Sequence, residues 1–170
     1  YATVTLHGHG GHGAMPHKAT DVVVAAASLV MALQTVVSRH VDPLQPAVVT
    51  VGAIHAGEAN NVIPAEARLE ISVRTLDPQV RRSVEQRIRE LVQLQAQSFG
   101  VRAEIAWRPG YAVLVNNDQQ TARALAVAQK HFPPEQINPQ GPMVSGSEDF
   151  AFMLERVPGS YLFIGNGADG

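Results

Sequence analysis

The chain has 170 residues, of which 45% are hydrophobic and 16% are charged, a composition typical of a globular protein with a buried core. Its formal net charge of -2 gives no electrostatic reason to expect nucleic acid or an anionic membrane surface as a partner. The sequence contains no cysteine, which excludes disulfides and thiolate metal ligands. No basic segment followed by an apolar segment opens the chain, so we expect no signal peptide and a cytoplasmic location.

The first 40 residues predict a strand, a loop and a long apolar helix. Residues 1–6 alternate between apolar and polar side chains, as a half-buried strand does. A loop rich in glycine and histidine follows, and Thr20 or Asp21 can cap a helix that ends near His40. Apolar side chains cover more of this helix than one sheet contact needs. Its uncharged stretch is a little short for a membrane span, so a deeply buried helix and a helix that packs on a second subunit are the two interpretations left open.

The next 70 residues complete an α+β domain. Three strands are predicted at residues 46–54, 65–76 and 101–107, and a second helix begins at Asp77-Pro78 and ends at Gly100. The order β-α-β-β-α-β is that of the ferredoxin-like split βαβ fold, in which two helices cover a four-stranded antiparallel sheet. We therefore predict a first domain of this α+β class at residues 1–110.

The last 60 residues follow a different pattern. They predict a helix at residues 118–131, a short helix at 148–156 and a buried strand at 160–164, with loops containing proline and glycine between them. These elements are too few to enclose a core of their own. We therefore predict that residues 111–170 are part of a second, incomplete α/β domain.

The loop from His7 to His17 suggests two kinds of site, and the positions of its residues argue against both. Residues 8–13 match the dinucleotide fingerprint G-x-G-x-x-G, but the helix that should begin directly at the last glycine is predicted to begin several residues later. The four histidines of the loop resemble metal ligands, yet no carboxylate lies near them before Asp21, and flexible glycines separate them. What remains is His12, a loop side chain that either contacts a ligand or is simply solvated.

Three further segments carry polar side chains, and each has a plain structural explanation. Asn61 lies in residues 60–64, a segment that fits a turn leading into the next strand. Arg74 lies on the non-core face of its strand, where a guanidinium either binds a carboxylate or is merely exposed. Ser147 lies in residues 145–150, which fit both an anion-facing helix start and a simple capping box.

Taken in chain order, these motifs resemble one enzyme family. The segments GGHGAMPH, PAVVTVGAIHAGEANNVIP, SVRT, SGSEDFAFMLERVPG and YLFIGNG occur in the order and spacing found in the metal-dependent amidohydrolases that include hippurate hydrolase, the aminoacylases and the auxin-conjugate amidohydrolases. The resemblance covers essentially the whole chain. It implies that residues 1–110 are the lid domain, which mediates dimerisation, and that residues 111–170 belong to the catalytic domain.

The resemblance also implies roles for individual residues. His12 corresponds to the lid histidine that reaches the active site of the partner subunit and polarises the scissile carbonyl. Asn61 corresponds to an asparagine that contacts substrate, and Arg74 corresponds to the arginine that binds the free carboxylate of the substrate. Ser147 lies in a segment that lines the substrate pocket from the catalytic side.

The same resemblance implies the chemistry of a longer parent protein. The family uses two divalent metals, zinc or manganese, whose ligands lie outside these 170 residues, so we expect no metal to be held by this segment alone. We expect the parent to be a homodimer that hydrolyses a small N-acyl amino acid, such as hippurate, to a carboxylic acid and an amino acid. The alternatives are a non-catalytic self-association module and a ferredoxin-like RNA-binding domain, which needs aromatic side chains on the open face of its sheet.

Overall fold

The computed structural model describes residues 1–141, 143–165 and 167. They form two compact units, one from Tyr1 to Pro109 and the other from Gly110 onward. The elements of the first unit are β1 (Ala2–His7), β2 (Gly11–His12), a 3-10 turn (Pro16–Lys18), α1 (Val22–His40), β3 (Ala47–Ala56), β4 (Val62–Ile63), β5 (Glu66–Thr75), α2 (Pro78–Ser98) and β6 (Arg102–Trp107).

The first unit has the predicted fold class. Its main sheet has the strand order β3-β5-β1-β6, and every neighbouring pair is antiparallel. Val4 in the middle of β1 lies opposite Leu69 on β5 and Ile105 on β6, which fixes the register of the three strands. This order, with one helix after β1 and one after β5, is the ferredoxin-like split βαβ arrangement, and the prediction is confirmed. The short strands β2 and β4 pair with each other in a separate ribbon.

The core lies between the helices and one face of the sheet. Strand residues that alternate onto this face are fully buried, among them Val4, Leu6 and Leu69. The helices contribute the rest of the core: Val22, Ala25, Ala26, Leu29, Leu33, Val36, Val84, Ile88, Leu91, Val92 and Ala96. Trp107 also packs against this core, with the Arg89 guanidinium 5.4 Å from its ring centroid, so it does not lie on the open face of the sheet.

Both helices of the first unit begin and end where local chemistry predicts. The carboxylates of Asp21 and Asp77 each accept two backbone N–H bonds from the first turn of α1 and α2, at 2.7–3.1 Å. Of the two caps suggested for α1, Asp21 is therefore the one that forms. Gly100 adopts a left-handed conformation (φ +68°) just after α2, as a glycine at a helix C-terminus commonly does.

Helix α1 buries only one of its faces. That face packs against β3, β5 and α2, whereas Val23, Val24 and Met31 are 44%, 51% and 71% exposed. By length and composition alone the helix could cross a membrane. Its buried stripe, which includes Leu29 and Leu33, instead makes it a core helix of this unit. A deeply buried helix is thus the wrong interpretation, since an apolar face remains uncovered within the chain.

The second unit contains α3 (Asp118–His131), a 3-10 turn (Pro134–Gln136) and α4 (Phe150–Leu154). Helix α3 matches its prediction, and α4 is shorter than predicted. The strand predicted at residues 160–164 is wrong, because the Asn116 side chain accepts from the Tyr161 N–H at 2.7 Å and donates to its carbonyl at 3.0 Å. A side chain thus binds the backbone groups that a neighbouring strand would use. Among the described residues from Gly110 onward only Ala151 is buried.

Candidate functional site

Hydrogen bonds fix both ends of the loop that follows β1. The Gly8 N–H donates to the Ala65 carbonyl at 2.8 Å, and the Thr20 N–H donates to the His9 carbonyl at 2.9 Å. The Thr20 hydroxyl in turn accepts the His9 N–H. Since Thr20 directly precedes the cap of α1, the loop is attached to the start of that helix. The sequence suggested Thr20 only as a helix cap, because its pairing with His9 depends on the tertiary fold.

The ribbon of β2 and β4 brings two of the predicted site residues together. His12 lies opposite Val62, and the Gly13 N–H donates to the carbonyl of Asn61 at 2.7 Å. His12 and Asn61 are therefore neighbours across the ribbon, although they are far apart in sequence. No local pattern indicated this proximity, and the roles of His12 and Asn61 at a substrate stay predictions.

The glycines of the loop are required by close packing. A Cβ atom on Gly8 would lie 2.5 Å from the Thr20 carbonyl oxygen, and one on Gly10 would lie 2.7 Å from the Ile63 carbonyl oxygen. None of the loop glycines has a positive φ. Helix α1 begins only at Val22, well after the last glycine of the fingerprint. The glycines thus allow backbone to lie against backbone, and they do not form a phosphate-binding turn.

The imidazole of His12 lies against its own turn. Its Nδ1 accepts the backbone N–H of Ala14 at 3.1 Å, and the backbone carbonyl of His12 accepts the N–H of Met15 at 2.8 Å. The residue is exposed, and across the described part of the chain the structure gives no hydrogen bond to its Nε2. One nitrogen of the ring is thus engaged by the protein, and the other is accessible.

The remaining histidines of the loop do not gather around His12. His7 lies on the open face of the sheet, with its Nδ1 3.4 Å from a carboxylate oxygen of Glu66 and its Nε2 3.7 Å from one of Glu104. Within residues 1–141, 143–165 and 167, no three His, Cys, Asp or Glu side chains are placed so that they could hold a metal ion. The described residues therefore offer no site for the metals that the family resemblance implies.

Arg74 lies at the other end of β5 from the ribbon. Its Nη2 donates to the Tyr1 hydroxyl at 2.6 Å, and its guanidinium lies 5.0 Å from the centroid of that ring. Strand β5 rises by about 3.3 Å per residue, so Arg74 is roughly 25 Å along the strand from Glu66, where β5 begins next to β4. An N-acyl amino acid is much shorter than this. The structure therefore does not bring Arg74 together with His12 and Asn61.

Ser147 belongs to the second unit, where it is exposed and precedes α4. The capping box suggested for this segment does not form, because the helix begins only at Phe150 and its N-cap makes no side-chain hydrogen bond. The neighbouring Glu148 accepts the Tyr161 hydroxyl at 2.9 Å. This bond lowers the pKa of the Glu148 carboxyl and raises the pKa of the Tyr161 hydroxyl. Sequence analysis did not find this pair.

Comparison with known proteins places these features in a family. The peptidase dimerisation domain family matches residues 1–98. The chain is 39% identical over 166 residues to the N-acetyl-L-cysteine deacetylase of Bacillus subtilis, covering 98% of this chain and 39% of that protein. It is 40% identical over 163 residues to the N-acetyldiaminopimelate deacetylase of Enterococcus faecalis, covering 95% of this chain and 43% of that protein.

A solved structure agrees with these relationships. A protein described as an aminohydrolase of methicillin-resistant Staphylococcus aureus matches with a TM-score of 0.77 and 32% identity, over 93% of this chain and 40% of that chain. The chain thus spans about two fifths of the relatives that it matches. The family matches the first 98 residues, and the solved structure has the same fold as this chain. Its relatives are named as deacetylases and an aminohydrolase, and the chain belongs to the peptidase dimerisation domain family, M20_dimer.

Proposed function

We propose that this chain is the lid and dimerisation segment of a metal-dependent deacetylase that hydrolyses N-acetyl amino acids. The observation that carries the proposal is the β2–β4 ribbon, which brings Asn61 next to the turn that follows His12, in a chain whose relatives are named as deacetylases of N-acetylcysteine and N-acetyldiaminopimelate. Those names favour an acetyl group over the benzoyl group of hippurate. The residues beyond Pro109 would then belong to the catalytic domain.

His12 is suited to stabilise the charge that develops on an amide oxygen. Hydrolysis of an amide passes through a tetrahedral intermediate, and a neutral N–H donor aimed at its oxygen lowers the barrier. His12 is exposed on a loop held at both ends, so it can be presented to a substrate outside its own unit. Zinc or manganese would supply the attacking hydroxide from ligands elsewhere in the parent.

The separation of His12 from Arg74 supports a site shared between subunits. One lid presents His12 and Asn61 at one end of β5 and Arg74 at the other, roughly 25 Å away along the strand. A single small substrate cannot contact both ends of the same lid. We therefore propose that His12 and Asn61 of one subunit complete the active site of its partner, while Arg74 binds the substrate carboxylate in the other lid.

The surface proposed for this dimer is formed by α1 and β3. Strand β3 is an edge strand of ten residues that pairs with β5 alone among the described strands. Its Ile54, opposite the core residue Leu69, is 49% exposed on the face of the sheet that α1 covers. An exposed apolar edge strand is a template for pairing with another chain. Helix α1 packs against β3, so its uncovered face with Met31 lies on the same side of the unit. Together they form one apolar surface that a second copy can cover.

Light scattering of this chain tests the dimer. Met31→Lys places a charge on the proposed surface and should raise the dimer dissociation constant by at least about tenfold, which corresponds to about 1.4 kcal/mol. Leu94→Lys is the matched control, because Leu94 is 59% exposed and lies on α2, which is not one of the two elements that form the proposed surface. A strictly monomeric wild-type chain at high concentration, or equal effects of the two substitutions, would contradict the proposed interface.

Kinetics of the full-length parent test the proposed activity. With N-acetyl amino acids as substrates and hippurate as comparison, His12→Ala should lower kcat/KM by about a hundredfold or more, since one oxyanion donor contributes that much. His17→Ala, in the same loop, is the control and should change kcat/KM by less than about twofold. A loss of less than tenfold for His12→Ala would show that His12 is not an oxyanion donor.

Neither alternative function is favoured. The open face of the sheet carries ion pairs such as Arg68 with Glu70 and Arg102 with Glu104, and Trp107 lies on the opposite, helix-covered face. An RNA-binding sheet needs exposed aromatics and a basic surface there. Self-association without catalysis describes this segment taken alone, and it is compatible with a catalytic parent.

A further inference from the structure

The turn that follows β2 binds the side chain of His12 to its own backbone. The Ala14 N–H donates to His12 Nδ1 at 3.1 Å, within a turn closed by the Met15 N–H on the His12 carbonyl at 2.8 Å. A backbone N–H is a donor only, so the nitrogen that receives it must carry a lone pair. In a neutral imidazole the proton must then be on the other nitrogen.

We propose that the backbone amide of Ala14 selects the tautomer of His12, placing its proton on Nε2 and making that atom a hydrogen-bond donor. The meaning of this selection for catalysis rests on the function proposed above; the tautomer itself does not. The opposite tautomer would direct the Nδ1 proton at the Ala14 proton and leave a lone pair on Nε2. Such a lone pair would repel the oxyanion that His12 is proposed to stabilise.

The selection should be measurable although it comes from one hydrogen bond. A typical protein hydrogen bond shifts an equilibrium by roughly twofold to tenfold, and leaving two donors face to face adds to the preference. Ala14 thereby acts as a positioning residue through its amide, and its methyl side chain takes no part in the contact.

Packing around the turn holds the Ala14 amide in place. Gly13, between the two partners, donates its N–H to the Asn61 carbonyl at 2.7 Å. A Cβ atom on Gly13 would lie 3.1 Å from that carbonyl group, so Asn61, which directly precedes β4, limits how far the turn can move. The neighbour of His12 across the ribbon thus also fixes the turn that sets its tautomer.

Nitrogen-15 NMR of the 170-residue chain tests the proposal directly. The chain has seven histidines, so 15N-histidine protein would be compared with the His12→Gln variant to identify the His12 resonances. At a pH about two units above the ordinary histidine pKa of about 6.5, we expect a protonated Nε2 and an unprotonated Nδ1. A predominantly Nδ1-protonated ring, or equal amounts of the two tautomers, would overturn the proposal.

A pair of variants separates the amide from the side chain of Ala14. Ala14→Pro removes the N–H and should shift the His12 tautomer ratio toward the other form by roughly twofold to tenfold. Ala14→Ser keeps the N–H and should leave the ratio unchanged. If Ala14→Pro fails to fold, a second measurement on the wild-type chain replaces it: the scalar coupling across the hydrogen bond between the Ala14 nitrogen and His12 Nδ1. We expect this coupling to be observed, and a chain without it would contradict the contact.

These measurements do not depend on the proposed activity. A parent that fails to hydrolyse N-acetyl amino acids would refute the function while leaving an Nε2-protonated His12 intact. Conversely, an active parent whose His12 carries its proton on Nδ1 would refute the tautomer selection alone. The two proposals therefore fail in distinguishable ways.

Discussion

Substituting Gly8 by alanine should destabilise the first unit strongly, although it adds only one methyl group. The new Cβ atom would lie 2.5 Å from the Thr20 carbonyl oxygen, 2.8 Å from the Thr20 hydroxyl oxygen and 2.7 Å from a methyl carbon of Val22. Relieving these clashes requires the Cβ atom and its neighbours to move apart by about 1 Å. One of these neighbours, the Thr20 carbonyl oxygen, belongs to the backbone just before α1. The loop and the helix must therefore move apart.

The expected loss follows from this displacement. Overpacking of this kind costs about 1–3 kcal/mol. Moving the loop also strains the bond from Gly8 N–H to Ala65 and the bond from Thr20 N–H to His9, each contributing about 0.5–1.5 kcal/mol. We therefore expect the free energy of unfolding to fall by about 2–4 kcal/mol. Gly52→Ala is the matched control, because its Cβ atom would lie 4.0 Å from the nearest atom, the Glu70 carbonyl oxygen.

Urea unfolding followed by Trp107 fluorescence measures this loss. Trp107 is the single tryptophan of the chain and packs against the core of the first unit, so it reports on that unit. With an m-value of about 1–2 kcal/mol/M, the midpoint of Gly8→Ala should fall by about 2 M, and that of Gly52→Ala by less than about 0.5 M. All variants must be compared at one protein concentration, because dimerisation shifts the midpoint. Equal midpoints for Gly8→Ala and wild type would refute the close approach on which the reasoning depends.

Three further predictions concern a helix cap, an acid-sensitive pair and the independence of the first unit. Asp21→Ala removes the acceptor of two N–H groups of α1 and should lower the free energy of unfolding by about 0.5–2 kcal/mol in the same urea assay, whereas Asp21→Asn should retain most of it. Tyr161→Phe should raise the pKa of the Glu148 carboxyl toward its ordinary value in an NMR titration, because the lowered pKa comes first from the Tyr161 hydroxyl. The folded-state pKa is depressed, so the stabilisation from this pair is present above the ordinary value of 4.5 and is lost as the pH falls through the folded-state value. If the free energy of unfolding of the wild type did not decline over this pH range relative to that of Tyr161→Phe, the pairing would be contradicted. A chain truncated after Pro109 should unfold with the Trp107 midpoint of the longer chain to within about 0.5 M, and a larger fall would show that the second unit stabilises the first.

The sequence predicted the elements whose causes are local. The cap at Asp21, the cap at Asp77 and the glycine after α2 act within a few residues of the helix ends that they define. The alternation of β1 and β5 likewise gave the correct buried face, because Val4 and Leu69 face the same helices. Strand order then followed from the sequence of elements, since the split βαβ arrangement accommodates that order with short connections.

The features that the sequence did not predict depend on distant residues. Residues 160–164 have the apolar composition of a buried strand, but Asn116 binds the backbone of Tyr161 in place of a neighbouring strand. The hydrogen bond between Gly13 and Asn61, next to His12, and the contact of Arg74 with Tyr1 depend on strand register, which no local pattern contains. Local patterns singled out His12 and Arg74, whereas only the family resemblance pointed to Asn61 and Ser147. The roles of these four residues, the domain identities and the cytoplasmic location stay predictions.

The two units differ in what each needs to complete its packing. The first unit closes a core between sheet and helices and leaves one apolar surface, on α1 and β3, of the kind that a second copy covers. The second unit buries only Ala151 among its described residues and exposes side chains such as Phe163 and Val115. A second copy of the first unit can therefore cover this surface, whereas the elements described for the second unit are too few to enclose a core by themselves. His12 lies on the unit that is nearly complete, so it can be positioned accurately before the active site that it is proposed to serve is assembled.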